Sequence, residues 1–250
     1  MVEEILKKGS NLSVDEIKAL EEIFLLINPN MPENHLQINH IDKTNPVFHI
    51  FKVNDKIAAF QAYSLFKAVT PFRNKALPII YINLSYKDPS KNAHIKNFAK
   101  RSNLSFIKRS IGSLWFLKSF LVIFETYNPK LVERISPFFS RYYPNVSNPT
   151  PKAIQQFGQD FFRDQLKVID PKIDEDLIKQ EGYFGLSDIS DKWNQMYESV
   201  NLKRNQFFIE KGVIEKRDEE YFLTGKAVLF IGYYSFWSIL LKRFKKKSNL

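Results

Sequence analysis

The chain of 250 residues contains no cysteine. That excludes disulfides, a thiolate nucleophile and any cysteine-based metal centre. Glycine is also scarce. There are 8 glycines, where average usage of roughly 7% would give about 17. A fold that depends on several glycine-rich phosphate loops is therefore disfavoured. No Gly-x-Ser-x-Gly, Walker-type loop or His-Glu-x-x-His occurs, so the commonest hydrolase, nucleotide-loop and zinc-protease signatures are missing. No repeat of fixed period is evident. The first ten residues, MVEEILKKGS, hold no long apolar run, so a secretory signal is not expected and a cytoplasmic location is.

The chain has ample apolar material, at 44% of residues, with 23 Phe and 11 Tyr. A folded core is expected and global disorder is not. The formal net charge is +10, which suits a polyanion, a membrane surface or an acidic cofactor. Half of that excess is Lys242, Arg243, Lys245, Lys246 and Lys247 near the C-terminus. Without them the protein is moderately basic, and nucleic acid is not an expected partner.

The stretch Ile79–Arg101, IIYINLSYKDPSKNAHIKNFAKR, reads as a strand that breaks at Asp88-Pro89 and continues as a basic helix. Ile80, Ile82, Leu84 and Tyr86 fall on one side of a period-2 pattern. Asp88 suits a helix N-cap and Pro89 the first helical position. A strand feeding a helix N-terminus makes an anion site from unpaired N–H groups and the positive dipole end.

Elsewhere the pattern is also clear. Ser13 and Glu16 form a capping box ahead of an apolar stripe at Ile17, Leu20, Ile23, Phe24 and Ile27. His35 and His40 read as surface or capping residues, with a metal site as the sharper alternative. Val47–Val53 and Ile57–Phe66 read as strands joined at Asn54-Asp55. A loop through Pro71 and Pro78 leads to the strand at Ile79. Asn103–Lys118 reads as a helix that buries aromatics under snorkelling Lys and Arg, or meets nucleic acid or membrane. FLVIFE at Phe120–Glu125 is a buried strand, and Asn128-Pro129 turns it into a helix. Residues Asn145–Pro151 look like an insertion boundary. Ala153–Leu166 reads as a helix, Trp193–Gly212 as a long one stopped by Gly212, and Val213–Tyr221 as the start of a hairpin. Asp174, Glu175 and Asp176 lack the spacing of a cation-binding loop. Ala227–Leu241 is uncharged but shorter than the roughly 20 residues a spanning helix needs. It reads as a final strand, Ala227–Tyr234, with a short helix after it, or as a membrane-lying segment followed by the basic cluster.

The order helix, β-hairpin, strand–helix, strand–helix, late strand resembles the GNAT (Gcn5-related N-acetyltransferase) superfamily at Ile79–Arg101 and Phe120–Ile135 together. The resemblance covers about Val47–Pro144 and the last strand. It implies an α/β (α+β) fold: a GNAT-like mixed central sheet flanked by helices, in one domain over 1–250. The core would be 13–144 plus 213–241, with a mainly helical insertion at 151–212 covering a cleft. It further implies an acyltransferase taking acyl-CoA as cosubstrate and a small-molecule or peptide amine as acceptor, with no metal. The family's Arg/Gln-x-x-Gly-x-Gly/Ala loop has its nearest frame at Lys91-Asn92-Ala93-His94-Ile95, where the glycines are missing. The resemblance assigns cofactor contacts to Leu84, Ser85, Tyr86, Lys91, Asn92, Ala93, His94, Ile95 and Asn128. Glu125, ending its strand, is the candidate base, and its bland role is a surface or helix-start carboxylate. Ile135 falls near the family's acidic tyrosine, so Tyr127, Tyr142 and Tyr143 stand as substitute acids, Tyr127 first. Two rival readings remain: an inert GNAT-like binding scaffold, and a protein tethered to a membrane surface through Ala227–Lys247.

Overall fold

The computed structural model describes residues 2–28, 31–91, 95–181 and 186–240. The chain is a mixed α/β protein with a large mixed sheet flanked by helices. It divides into two compact units: Met1–Phe66 with Ile80–Trp115, and Lys67–Ile79 with Phe116–Leu250.

The first unit begins with β1 (Val2–Lys8), followed by α1 (Val14–Ile27) and a single turn α2 (Asp42–Thr44). Next come β2 (Val47–Val53), β3 (Lys56–Thr70) and β4 (Arg73–Lys87), whose residues 67–79 belong to the second unit, and α3 (Phe98–Ile111). The capping box forms as the sequence expects: the Ser13 hydroxyl accepts from Glu16 N–H, and the Glu16 carboxylate accepts from Ser13 N–H. Asn54 and Asp55 both hold positive φ, at 50° and 63°, as the two central residues of a type I′ hairpin turn require. β2 pairs antiparallel with β3 on one edge and with β1 on the other. Strand alternation then sorts the side chains. Phe48, Ile50, Phe60 and Ala62 join Leu20, Ile23 and Phe24 of α1 in one core. Phe51, Val53, Ala58 and Ala59 form a second cluster with Ile95 and Phe98.

Several expectations change here. β1 was not foreseen, because VEEILKK mixes charge with short apolar runs and declares itself only by pairing. The loop through Pro71 and Pro78 shrinks to the turn Pro71-Phe72, and Pro78 lies inside β4. Asp88-Pro89 does not open the long helix. It starts one 3-10 turn, Pro89–Lys91, and α3 begins at Phe98 after Asn97 in the left-handed region. α3 ends at Ile111 against Gly112 at φ 106°, so Asn103–Lys118 is helical only in part. His35 and His40 are buried rather than exposed. Their rings lie 5.8 Å apart, and His35 stacks on Phe24 at 5.4 Å.

The second unit contains β5 (Ser119–Thr126), α4 (Pro129–Ile135), β6 (Arg141–Tyr143), α5 (Lys152–Asp160), β7 (Ile178–Lys179) and β8 (Ser187–Asp188). It continues with α6 (Leu202–Glu210), β9 (Ile214–Arg217), β10 (Glu220–Leu223) and β11 (Ala227–Ser235). β11 runs antiparallel to β5 from Val228↔Thr126 to Ser235↔Ser119, and it also pairs with β6 and β7. β11 is buried along almost its whole length, which accounts for its uncharged sequence: both faces are covered. The final-strand reading of Ala227–Tyr234 therefore holds, with residues 236–240 helical after it and Leu241 outside the described residues. Gly232 is a packing requirement, since a Cβ there would lie 2.7 Å from the Phe139 ring. β9 and β10 form the expected hairpin, with β8 as a third strand. The long helix expected at Trp193–Gly212 is broken. A wide turn at Trp193–Tyr197 precedes α6, and the Ser199–Asn205 hydrogen bonds hold the break between them. Gly212, at φ 65°, does end the helical stretch. Residues 151–212 hold α5 and α6 together with the short strands β7 and β8.

Candidate functional site

β4 ends in Leu84, Ser85, Tyr86 and Lys87. Leu84 is buried and packs in the α1 core. Tyr86 rests edge-on against Phe24 at 5.2 Å and beside Phe60 at 5.7 Å. Ser85 is exposed. Lys87, not singled out in the sequence, donates to the Ile95 carbonyl at 3.2 Å and lies 5.9 Å from the centre of the Phe98 ring. It therefore ties the end of β4 to the far side of the connection. Burial lowers the pKa of its ammonium.

Asp88 caps its short turn, accepting from Ser90 N–H at 2.8 Å and from the Ser90 hydroxyl at 2.7 Å. Its own N–H donates to the Ala58 carbonyl at 2.9 Å, joining the turn to β3. Lys91 ends the turn. Ile95 is fully buried, so its side chain is core. Asn92, Ala93 and His94, the centre of the expected phosphate frame, lie outside the described residues. Asp88 and Lys91 border an open cleft of about 700 Å³ between α1, the β2–β3 turn and the end of β4. Its rim mixes Asp15, Glu16, Glu22, Asp55 and Asp88 with Lys52, Lys56 and Lys91 over an apolar floor at Ile23 and Ile57. Five carboxylates against three ammonium groups give the rim no excess of positive charge, so its charge does not by itself select a phosphate.

The same unit holds a buried polar chain that sequence reading missed. His49 Nε2 lies 3.2 Å from Glu4 Oε2, and His49 Nδ1 lies 3.0 Å from Ser102 Oγ. The Tyr63 hydroxyl is 2.7 Å from Ser102 Oγ and 2.9 Å from Asn103 Oδ1. Arg101 pairs with the same Glu4 carboxylate. The order Ser–His–Glu is that of a hydrolytic triad. Ser102, however, has no accessible surface and is hemmed in by two partners, so no substrate reaches it. The chain is structural: it fastens α3 to β2, β3 and β1. Burial lowers the pKa of His49, with Glu4 opposing that shift, and burial pushes the pKa of Tyr63 upward. Both shifts favour the neutral side chains, which suits their hydrogen-bonding roles.

In the second unit the expected groups sit at the β5–α4 turn. Glu125 is nearly buried and pairs with Lys179 at 2.8 Å. Lys179 also lies 5.2 Å from the centre of the Phe162 ring. Tyr127 stacks against Tyr197 at 5.9 Å. Burial raises the pKa of Tyr197, and the Tyr127 side chain opposes that shift. Asn128 is engaged at both ends of its amide. Its Oδ1 accepts from Leu131 N–H at 3.1 Å as the N-cap of α4, and its Nδ2 donates to the Met196 carbonyl at 2.9 Å. Lys130 likewise donates to the Gln195 carbonyl at 2.9 Å. The turn therefore gathers Glu125, Tyr127 and Asn128 with Lys179 and Tyr197, two partners 54 and 70 residues away in sequence. Such distant contacts leave no local signal. Among the described residues no group of three or more His, Asp or Glu side chains is placed to hold a metal ion.

No family model matches the chain, and no curated protein matches it. Solved structures do resemble it, and several are acetyltransferases by name. One is a conserved protein of unknown function from Enterococcus faecalis V583, described as a probable N-acyltransferase. It aligns at 11% identity and a TM-score of 0.40 over 57% of this chain, and the match spans only 33% of that one. An acetyltransferase from Trypanosoma brucei aligns at 16% identity and a TM-score of 0.33, over 45% of this chain and 78% of its own. Escherichia coli ElaA aligns at 12% identity and a TM-score of 0.37, over 91% of this chain and 99% of its own. At such scores, residue roles in this chain rest on its own geometry.

Proposed function

We propose that the chain is a GNAT-like acyltransferase moving an acyl group from acyl-CoA to the amine of a small molecule or peptide. The observation that carries this reading is the order of elements. β4 is followed by the turn Pro89–Lys91 and later by α3, β5 runs through an Asn-capped turn into α4, and a late strand, β11, pairs with β5. In this reading the backbone N–H groups of Leu84–Tyr86 meet the thioester oxygen, where negative charge develops. Lys91 supplies positive charge to the cosubstrate phosphates. The amine nitrogen forms a bond to the carbonyl carbon, and the carbon–sulfur bond breaks. The amine proton passes to Glu125, and the departing thiolate takes a proton from Tyr127.

A second reading is supported by the same turn. Asn128 is fully engaged in capping α4 and holding Met196, and Glu125 is paired with Lys179. Side chains committed in this way suit an inert GNAT-like scaffold that binds a ligand or protein without turnover.

Thiol release from acetyl- to long-chain acyl-CoA, measured with a panel of amines, separates the two. Acyl transfer predicts amine-dependent thiol release and a rise in melting temperature with acyl-CoA, since a ligand of the native state stabilises it. Glu125→Gln then lowers kcat by about 10²- to 10⁴-fold, the usual worth of a general base. A melting-temperature rise without thiol release supports the scaffold. No shift with any chain length contradicts the acyl-CoA reading outright.

A further inference from the structure

In the first unit the sheet ends in a strand whose charges mirror themselves. β1 stands first in the strand order and, among the described residues, pairs with β2 alone. Its register is unbroken from Val2↔Val53 to Lys8↔Val47, so no bulge turns its outer side away, and it contains no proline. A straight edge of seven residues is a template for strand addition. Charge protects such an edge when it repels an incoming strand. β1 carries charge of both signs: Glu3 and Glu4 precede Ile5 and Leu6, and Lys7 and Lys8 follow.

Alternation along β1 fixes which side chains share a face. Ile5 packs in the α1 core and Lys7 pairs with Glu16 of α1 at 2.7 Å, so Glu3, Ile5 and Lys7 share the α1 face. Val2 packs in the Phe51 cluster and Glu4 pairs with Arg101 of α3, so the even positions share the other face. A twofold axis normal to the sheet keeps each side chain on its own face. Across the seam, odd positions can therefore stand only opposite odd ones, and even opposite even. An antiparallel second copy centred on Ile5 pairs all of β1. Ile5 then meets Ile5, and Glu3 meets Lys7 twice. Centring on Glu4 sets two carboxylates face to face, and centring on Leu6 leaves Val2 and Glu3 with no β1 partner. A parallel copy in register sets Glu on Glu and Lys on Lys. Lys7 can serve both contacts, because its ammonium has three donors and Glu16 takes two. A foreign strand of one charge sign meets half of this edge with like charge, whereas a second copy complements all of it.

We infer that β1 is a dimer edge, at which two copies of the chain join through antiparallel β1–β1 pairing centred on Ile5. The inference does not depend on acyl transfer. One strand pair is a small interface, so weak, concentration-dependent association is expected. Its test is sedimentation velocity of the full chain from about 1 µM to about 1 mM, where a monomer–dimer equilibrium is expected. Glu3→Lys, at an exposed position, sets two like-charge pairs across the seam. It is expected to raise the dissociation constant about tenfold while leaving the melting temperature of the dilute monomer unchanged. Mixed with Lys7→Glu it regains opposite charges at both places, so the heterodimer is expected to be tighter than either variant's own dimer. Single cysteines read the register, since the chain has none of its own. The Ile5→Cys positions would lie about 5 Å apart across the seam, within disulfide reach, and cross-link on mild oxidation. The Glu3→Cys positions would lie about 14 Å apart and stay reduced. A chain that is monomeric at every concentration overturns the inference and leaves the edge to a strand of another protein. A dimer untouched by Glu3→Lys, a mixture no tighter than its parts, or equal cross-linking at both cysteines would each overturn it too.

Discussion

β2 and β3 present His49 and Tyr63 to Ser102 of α3, and that contact is made of hydrogen bonds. β5 and β11 meet through rings: Phe120 stacks on Tyr234 and Phe124 on Phe230, both at 4.8 Å. Phe230 also touches the rings of Phe139 and Tyr142. The two regions solve the same problem, burying a sheet face, with opposite chemistry. Rings give area and density but little direction. A buried polar chain gives direction, because each donor accepts one geometry and a missing partner is costly. α3 follows the connection that carries the proposed cosubstrate contacts, so its placement needs direction. β5 and β11 need only close packing.

That contrast can be broken in graded steps. Phe230→Ala removes the shared ring from three contacts and is expected to cost about 4 kcal/mol in denaturant unfolding. A cost near zero would mean the ring stack is not the core of the second unit. Gly232→Ala places a methyl group 2.7 Å from the Phe139 ring, and overpacking of this kind costs about 2 kcal/mol. The double change with Phe139→Leu recovers part of the loss if the clash is the cause. Ser102→Ala leaves His49 Nδ1 without its partner and Tyr63 with Asn103 alone, at about 1–2 kcal/mol. A double-mutant cycle with Tyr63→Phe then shows coupling, and additive losses would mean the polar chain does not act as a unit.

The smallest step is pH. Burial lowers the folded-state pKa of both His49 and His35, with Arg101 adding to the effect at His49 and Glu4 opposing it. As pH falls below about 6.5 the unfolded chain takes up protons that the folded chain refuses, so stability declines. Unfolding free energy measured at pH 7.5 and 5.5 is expected to fall, and His49→Gln is expected to reduce that fall. An unchanged slope would place the titration at His35 or elsewhere.

Much of this architecture is legible in the sequence where a local rule decides it. Ser13 and Glu16 announce α1, Asn54-Asp55 announces the hairpin, and the uncharged runs at β5 and β11 announce strands covered on both faces. Asn128-Pro129 announces α4. The rest depends on partners far away in the chain. VEEILKK becomes a strand because β2 offers it an edge. Asp88 caps only a three-residue turn through Ser90, and α3 opens later, after the left-handed Asn97. Trp193–Gly212 keeps its helical spacing, yet Asn205 bonds back to Ser199 and fixes a break there. Of the candidate site, Glu125, Tyr127 and Asn128 do come together at one turn. Their neighbours Lys179 and Tyr197 could not be foreseen, since nothing local marks a salt bridge spanning 54 residues.

The proposed acyl-CoA binding is tested most directly by calorimetric titration of the full chain with CoA and acetyl-CoA. One saturable site is predicted. Lys91→Ala is expected to weaken it about tenfold, at the roughly 1–2 kcal/mol typical of a hydrogen bond to a charged group. Absence of saturable heat with both ligands, or affinity unchanged by Lys91→Ala, would contradict the placement of the cosubstrate at the end of β4.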